Sequence, residues 1–250
     1  MNNIIKFENV VKKYGKLKAL DELTFSISEG SCTALVGNNG CGKTTTIYVI
    51  GNITNYNDGK YYYKNKIVTP KYVTYKNDLG MILSEHYYIE DFSTVEYLKF
   101  VSKYQNVPKQ EIGQRIDELL GLLELENEKN KIIKDLSSGN QMKVTIASSL
   151  IHNPGVLVLD EPFINLDINT TQKLMELLKS LKKKKTIFIT SHNLDLVAEL
   201  CDDFLIMEKG KIITKIEKAG INNLDVLKDR VKRLLVKDKT AKEISWLKSQ

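Results

Sequence analysis

No stretch of this 250-residue sequence approaches the run of about 18 apolar residues that a bilayer-spanning helix needs, so the chain is not expected to cross a membrane by itself. The opening, Met1 to Glu8, lacks the long apolar stretch of a secretory signal. Cysteine is scarce. Cys32, Cys41 and Cys201 are odd in number, stand at no metal-ligand spacing, and suggest a reducing compartment. Internal repeats and low-complexity segments are absent as well. What remains, 42% hydrophobic and 27% charged residues, is the composition of a soluble globular protein. Its length fits one large α/β domain, or one domain with an inserted lobe.

The net charge of +6 is unevenly placed. Glu208 to Gln250 carry twelve Lys/Arg and six Asp/Glu, which leaves 25 of each sign in the first 207 residues. A basic tail of this kind either lies near anionic lipid or nucleic acid, or is the solvated face of a helix; the second is the more ordinary outcome.

The run Gly37-Asn38-Asn39-Gly40-Cys41-Gly42-Lys43-Thr44 fits G-x-x-x-x-G-K-[ST], the phosphate-binding loop. By average residue usage this spacing arises in roughly one chain of this length in a hundred, so it carries weight by itself. The glycines let successive N–H groups turn toward a polyphosphate, Lys43 brings its charge to the β- and γ-phosphates, and the Thr44 hydroxyl is a Mg²⁺ ligand. Before the loop, Thr33-Ala34-Leu35-Val36 reads as a buried strand. After it, Thr45-Thr46-Ile47-Tyr48-Val49-Ile50 reads as a helix whose N-terminus faces the phosphates. Cys41 reads as a small filler or as an oxidisable thiol near the nucleotide.

Around this unit, Ile4 to Val11 and Leu23 to Ile27 read as strands joined through a turn near Tyr14-Gly15. Asn57-Asp58-Gly59 has the composition of a hairpin turn. Lys60-Tyr61-Tyr62-Tyr63-Lys64 is either a tyrosine-rich strand or a basic–aromatic patch for nucleic acid, and the strand is the commoner explanation. Apolar residues fall at helical spacing over Thr94 to Tyr104 and Lys109 to Leu123, where Ile112, Ile116, Leu119, Leu120 and Leu123 share one face. Residues of about 85 to 150 are expected to form a helical lobe set between strands. Further buried strands are expected at Val156 to Leu159, Thr186 to Thr190 and Phe204 to Met207, with helices at Thr170 to Leu181 and Leu194 to Leu200 between them. Alternation of this kind implies a mostly parallel sheet covered on both faces. In the tail, Leu224, Leu227, Val231 and Leu234 mark an amphipathic helix.

Val156-Leu157-Val158-Leu159-Asp160-Glu161-Pro162 is an apolar strand ending in two acids, which belong at a site on the carboxyl edge of the sheet. Asp160 is placed to hold Mg²⁺ and Glu161 to polarise the attacking water. Leu136-Ser137-Ser138-Gly139-Asn140-Gln141 precedes a helical stretch from Met142 to His152, so Ser137 and Gly139 lie where phosphate binds a helix start, although ordinary capping explains them too. His192 follows the strand Thr186 to Thr190, where it can hydrogen-bond a γ-phosphate.

Taken in order, the phosphate loop, Leu136 to Asn140, Leu159 to Pro162, Asn165-Leu166-Asp167 and His192 resemble the ATP-binding-cassette (ABC) ATPases, from about residue 4 to residue 215. The resemblance implies an α/β fold of the P-loop NTPase type. Its parts would be a mostly parallel sheet, an N-terminal antiparallel β-subdomain, an inserted helical lobe, and a short basic helical tail from 216 to 250. It implies ATP and Mg²⁺ as cofactors and a head-to-tail homodimer or heterodimer with two ATPs between the subunits. Lys43, Glu161 and His192 would then be catalytic. Tyr14 would stack on adenine beside Gly37 to Thr45. Ser137, Gly139 and Asn140 would touch ATP held by the partner, and Asp167 would link the two sites. Thr44, Asp160 and Ser84 would hold the metal. The signature reads Leu-Ser-Ser-Gly-Asn in place of Leu-Ser-Gly-Gly-Gln, and no glutamine stands near Leu83-Ser84-Glu85, where Ser84 is the best match and Glu85 the alternative.

The expected function is ATP hydrolysis that powers a separate membrane permease from its cytoplasmic face, and the chain looks most like the ABC-2 export type. Its short tail leaves no room for the regulatory β-domain of many sugar importers. The alternative is an ABC ATPase acting on ribosomes or nucleic acid. Such relatives usually carry two cassettes in one chain, or a long coiled coil between the halves of the cassette; here only about 115 residues separate Lys43 from Asp160 and no sustained heptads fill them, so no direct nucleic acid partner is expected. A GTPase is disfavoured because Asn65-Lys66 and Asn130-Lys131 are not followed by the Asp that reads guanine.

Overall fold

The structure, a computed structural model, describes residues 2–72, 74–84, 88–219 and 224–235. The chain opens with a hairpin, β1 (Asn3–Tyr14) and β2 (Leu17–Ser28), turning at Gly15 and Lys16. β3 (Cys32–Gly37) leads through the phosphate loop into helix α1 (Lys43–Ile50). Then come β4 (Asp58–Tyr63), β5 (Lys66–Ile67) and β6 (Leu79–Ile82), followed by helices α2 (Thr94–Tyr104), α3 (Ile112–Leu122) and α4 (Ser138–Leu150). From there strands and helices alternate: β7 (Val156–Asp160), α5 (Ile168–Leu181), β8 (Thr186–Thr190), α6 (Leu194–Leu200), β9 (Asp203–Glu208), β10 (Lys211–Glu217) and α7 (Leu224–Leu235). Every element expected from periodicity is present, and β5, β6 and β10 are additions.

Two sheets result. The first is antiparallel, in the order β2-β1-β4-β5. The second runs β10-β9-β3-β8-β7-β6 and is parallel except for the edge strand β10. Its parallel strands are buried on both faces, so they alternate between two cores rather than between core and water. Leu35, Val156, Val158, Phe188, Leu205 and Met207 face α1 and the antiparallel sheet. Ala34, Val36, Leu157, Leu159, Ile187, Ile189, Phe204 and Ile206 face the helices on the other side. Those helices are amphipathic in the expected register, with Ile112, Ile116, Leu120 and Leu123 of the α3 segment buried. Ser93 and Glu96 form a capping box that starts α2.

One expectation is corrected. Asp58 and Gly59 are not a turn but the start of β4, because Asn57 already donates to Val11 O (2.7 Å) and β4 continues along β1. The tight turn is Lys64-Asn65, at φ 47° and 62°, which joins β4 to β5. The tyrosines lie in a strand, the more ordinary of the two readings, and do not form a stacking patch. Tyr61 and Tyr63 are buried, with their hydroxyls on Ile50 O and Asp78, and Tyr62 is half-buried against Glu8.

In the tail helix, Leu227 and Val231 are buried, Lys228 pairs with Asp195 of α6 (2.6 Å), and Arg230, Lys232 and Arg233 face solvent. This part of the basic tail is the solvated face of a packed helix; its continuation from 236 to 250 lies outside the described residues. Among the described residues, no helix is long and apolar enough to cross a membrane.

Candidate functional site

The site lies at the carboxyl ends of β3, β7 and β8. At the end of β3 the chain turns through the loop into α1. This helix begins at Gly42 with no side-chain cap and no acidic residue in its first turn. Its first N–H groups therefore keep their positive field for an anion. Lys43 is buried, and its ammonium turns back on the loop to donate to Gly37 O (2.8 Å) and Asn38 O (3.5 Å). Cys41 N–H donates to Asn38 O and Gly210 N–H to Cys41 O. The Cys41 side chain sits in the core and burial pushes its thiol pKa up, which argues for a filler rather than a reactive thiol.

A cavity of about 640 Å³ opens over this loop, and Gly40, Lys43, Thr44, Thr45, Tyr14, Glu161 and His192 all line it. Asn39 and Gly42 border it as well. Tyr14 stands at the end of β1, 46% exposed, with the Lys12 ammonium 4.8 Å from its ring centre. Lys18 and Lys209 also border the cavity and were not singled out by the sequence pattern. Each lies in a segment that only the fold carries to the loop, and no local motif marks them.

Beneath Glu161, outside the cavity lining, parallel pairing sets Asp160 beside Thr190. Asp160 is 0% exposed. Its Oδ1 accepts from Thr190 Oγ1 (2.6 Å) and its Oδ2 from Ser84 Oγ (3.0 Å). Glu161 lies just past the strand in the left-handed region, φ 50°. Its Oε2 accepts from the His192 backbone N–H (3.1 Å) and from His192 Nδ1 (2.9 Å). An ionised carboxylate only accepts, so Nδ1 carries a proton and Nε2 remains for another partner. The His192 side chain is 63% exposed and that of Glu161 13%, so the histidine reaches outward while the acid stays at the wall.

The donor set fits Mg²⁺ held with a nucleotide. Thr44, Ser84 and Asp160 offer only oxygens, which suits a hard cation that takes its remaining ligands from phosphate and water. Among the described residues no cluster of three acids, histidines or cysteines forms an all-protein metal cage. Glu85 lies outside the described residues.

Ser137, Gly139 and Asn140 do not line this cavity. They start α4, where Ser137 caps the helix by accepting from Asn140 N–H (3.3 Å), and Gly139 lies near the carbonyl of Asn165. Asp167 caps α5, accepting from Thr170 N–H (2.9 Å) and Thr170 Oγ1 (2.7 Å). This chain therefore presents its loop and its signature segment as two separate surfaces.

Comparison with known proteins agrees with this geometry. Residues 20–164 match the ABC transporter family. An uncharacterised ABC transporter ATP-binding protein of Methanocaldococcus jannaschii is 38% identical over 210 residues, covering 84% of this chain and 76% of that protein. The ribose import ATP-binding protein of Caldanaerobacter subterraneus is 31% identical over 94% of this chain, which spans only 49% of that relative. The Nod factor export ATP-binding protein of Cupriavidus metallidurans is 30% identical over 86% of this chain and 71% of its own length. Among solved structures, a dimeric ATP-binding cassette in a post-hydrolysis state with ADP and phosphate superimposes with a TM-score of 0.79 at 26% identity. That match covers 85% of this chain and 98% of the other. The chain belongs to the ABC transporter family, as an ATP-binding subunit with the cassette ATPase fold.

Proposed function

We propose that this ATPase powers a separate integral membrane permease, works as a head-to-tail dimer on the cytoplasmic face of the membrane, and belongs to an exporter. The observation that carries the reading is the convergence of Tyr14, the phosphate loop, Glu161 and His192 on one cavity, with the signature segment on another surface. Such a split calls for a second subunit to complete each ATP site. Export rather than import rests on the sequence-level likeness to ABC-2 ATPases; relatives named for import and for export both match at about the same identity. We read residues 1–215 as one ATPase domain, with the helical segment of about 85–150 set into it, and 216–250 as its tail.

In this reading the adenine stacks on Tyr14, and the first turn of α1 and Lys43 hold the phosphates. Glu161 accepts a proton from the attacking water, held in place by the two His192 donors. With Nδ1 engaged by Glu161, a protonated Nε2 of the exposed His192 ring would donate to the γ-phosphate. Thr44, Ser84 and Asp160 would hold Mg²⁺, directly or through water, and the ion would neutralise the β- and γ-phosphate charge. Ser137, Gly139 and Asn140 would close over ATP bound by the partner.

The test is oligomeric state. The Glu161→Gln protein, mixed with ATP and Mg²⁺, should elute from a sizing column as a dimer, and Gly139→Asp added to it should return it to monomer. A protein that stays monomeric under all conditions contradicts the composite site. Copurification with a membrane protein supports the permease, and copurification with ribosomes or RNA contradicts it.

A further inference from the structure

Burying Asp160 costs free energy unless its charge is met by hydrogen bonds. Two hydroxyls meet it, and one of them serves a second purpose. Thr190 Oγ1 lies 2.6 Å from Asp160 Oδ1 and 3.1 Å from the Glu161 amide nitrogen. An amide N–H only donates and an ionised carboxylate only accepts. The hydroxyl proton is therefore committed to Asp160, and its lone pair to Glu161. The same amide also donates to the Thr190 carbonyl (3.1 Å). That double anchorage falls on a residue in a sparsely populated backbone region, φ 50°, which persists only where surroundings hold it. Thr190 is fully buried, at the end of a strand whose central residues, Ile187, Phe188 and Ile189, are apolar.

We propose that Thr190 is a positioning residue for hydrolysis: its one hydroxyl aims the Asp160 carboxylate at the metal site and fixes the backbone from which Glu161 reaches water. The inference rests on the roles proposed for Asp160 and Glu161. It adds a side chain that touches neither nucleotide nor metal, and it links the two acids so that neither turns without the other.

The test compares wild type with Thr190→Val, which keeps the shape and removes the hydroxyl, and Thr190→Ser, which keeps the hydroxyl. Two readouts are taken: steady-state ATP turnover, and the gain in affinity for a non-hydrolysable ATP analogue on adding Mg²⁺. Losing one donor to a buried charge should lower kcat about ten-fold or more in Thr190→Val, with KM within about three-fold, and shrink the Mg²⁺ gain by a similar factor. Thr190→Ser should restore both. Wild-type values in Thr190→Val overturn the proposal. So does a Thr190→Ser protein as impaired as Thr190→Val, since the methyl group would then be what matters. Asp160→Asn, run alongside, separates the failures. If it keeps the full Mg²⁺ gain, the role of Asp160 is wrong; if it loses the gain while Thr190→Val does not, only the Thr190 inference falls. Should Thr190→Val not fold, Thr190→Ala against Thr190→Ser gives the same contrast.

Discussion

Two glycines of the phosphate loop have left-handed backbones but very different surroundings, and alanine at each should separate conformational strain from collision. Gly40 has φ +76°, and a Cβ there would meet nothing within 4 Å. Gly42 has φ +113°, and its Cβ would stand 2.5 Å from the Ala19 carbonyl oxygen and 2.7 Å from Met207 Cε. Gly40→Ala then costs only the left-handed conformation, about 1–2 kcal/mol, partly offset by the stiffer unfolded chain. Gly42→Ala adds a clash with backbone that cannot swing aside, so its total is about 3 kcal/mol or more. At about 2–4 °C per kcal/mol for a domain of this size, Gly40→Ala should melt about 2–4 °C below wild type and Gly42→Ala about 6–12 °C below. The assay is thermal unfolding by circular dichroism, with ATP binding measured on the folded proteins. Gly42 is also the N-cap of α1, so Gly42→Ala should bind ATP more weakly than Gly40→Ala. If the two variants melt within about 2 °C of each other, the reasoning from local space is refuted.

Removing the α2 capping box by Ser93→Ala should cost about 1 kcal/mol, visible as a drop of about 2–4 °C, and an unchanged melting temperature contradicts the cap. Asp78 carries a pH dependence. Burial tends to raise its pKa, but Lys64 (2.7 Å), the Tyr63 hydroxyl and the Gly155 N–H outweigh that and hold it below the usual carboxylate range. A depressed folded pKa means that the stabilisation is complete above the unfolded value, about 4, and is lost as pH falls through the folded one. The melting gap between wild type and Asp78→Asn should therefore be widest near neutral pH and narrow below about pH 4; a gap constant from pH 7 to pH 3 goes against it.

Local chemistry made much of this molecule legible in advance. The phosphate loop, the acid pair closing β7 and the histidine after β8 each need a fixed residue spacing, and the strand–helix alternation around them follows from apolar period alone. Long-range pairing was not legible. Asp58-Gly59 has turn chemistry, yet pairing with β1 overrides it and moves the turn to Lys64-Asn65. Tyr61-Tyr62-Tyr63 reads as part of a strand, but three like residues in a row do not say which face is buried; only the packing of β4 over α1 turns the outer two inward. Thr190 escaped notice for the same reason: it stands 30 positions from Asp160, and only the parallel register of β7 and β8 puts their side chains together. Edge strand β10 has no continuous apolar run to mark it, because Lys211, Ile213 and Lys215 are exposed, Ile212 is half-buried and only Ile216 is buried.

The most direct measurement is ATP turnover by Glu161→Gln beside wild type, with ATP binding measured on both. If Glu161 accepts the proton of the attacking water, the variant should bind ATP at least as well as wild type and hydrolyse it about a hundred-fold more slowly or worse. Hydrolysis at the wild-type rate would contradict the account, because the carboxylate that His192 holds at the cavity wall would then have no part in the chemistry.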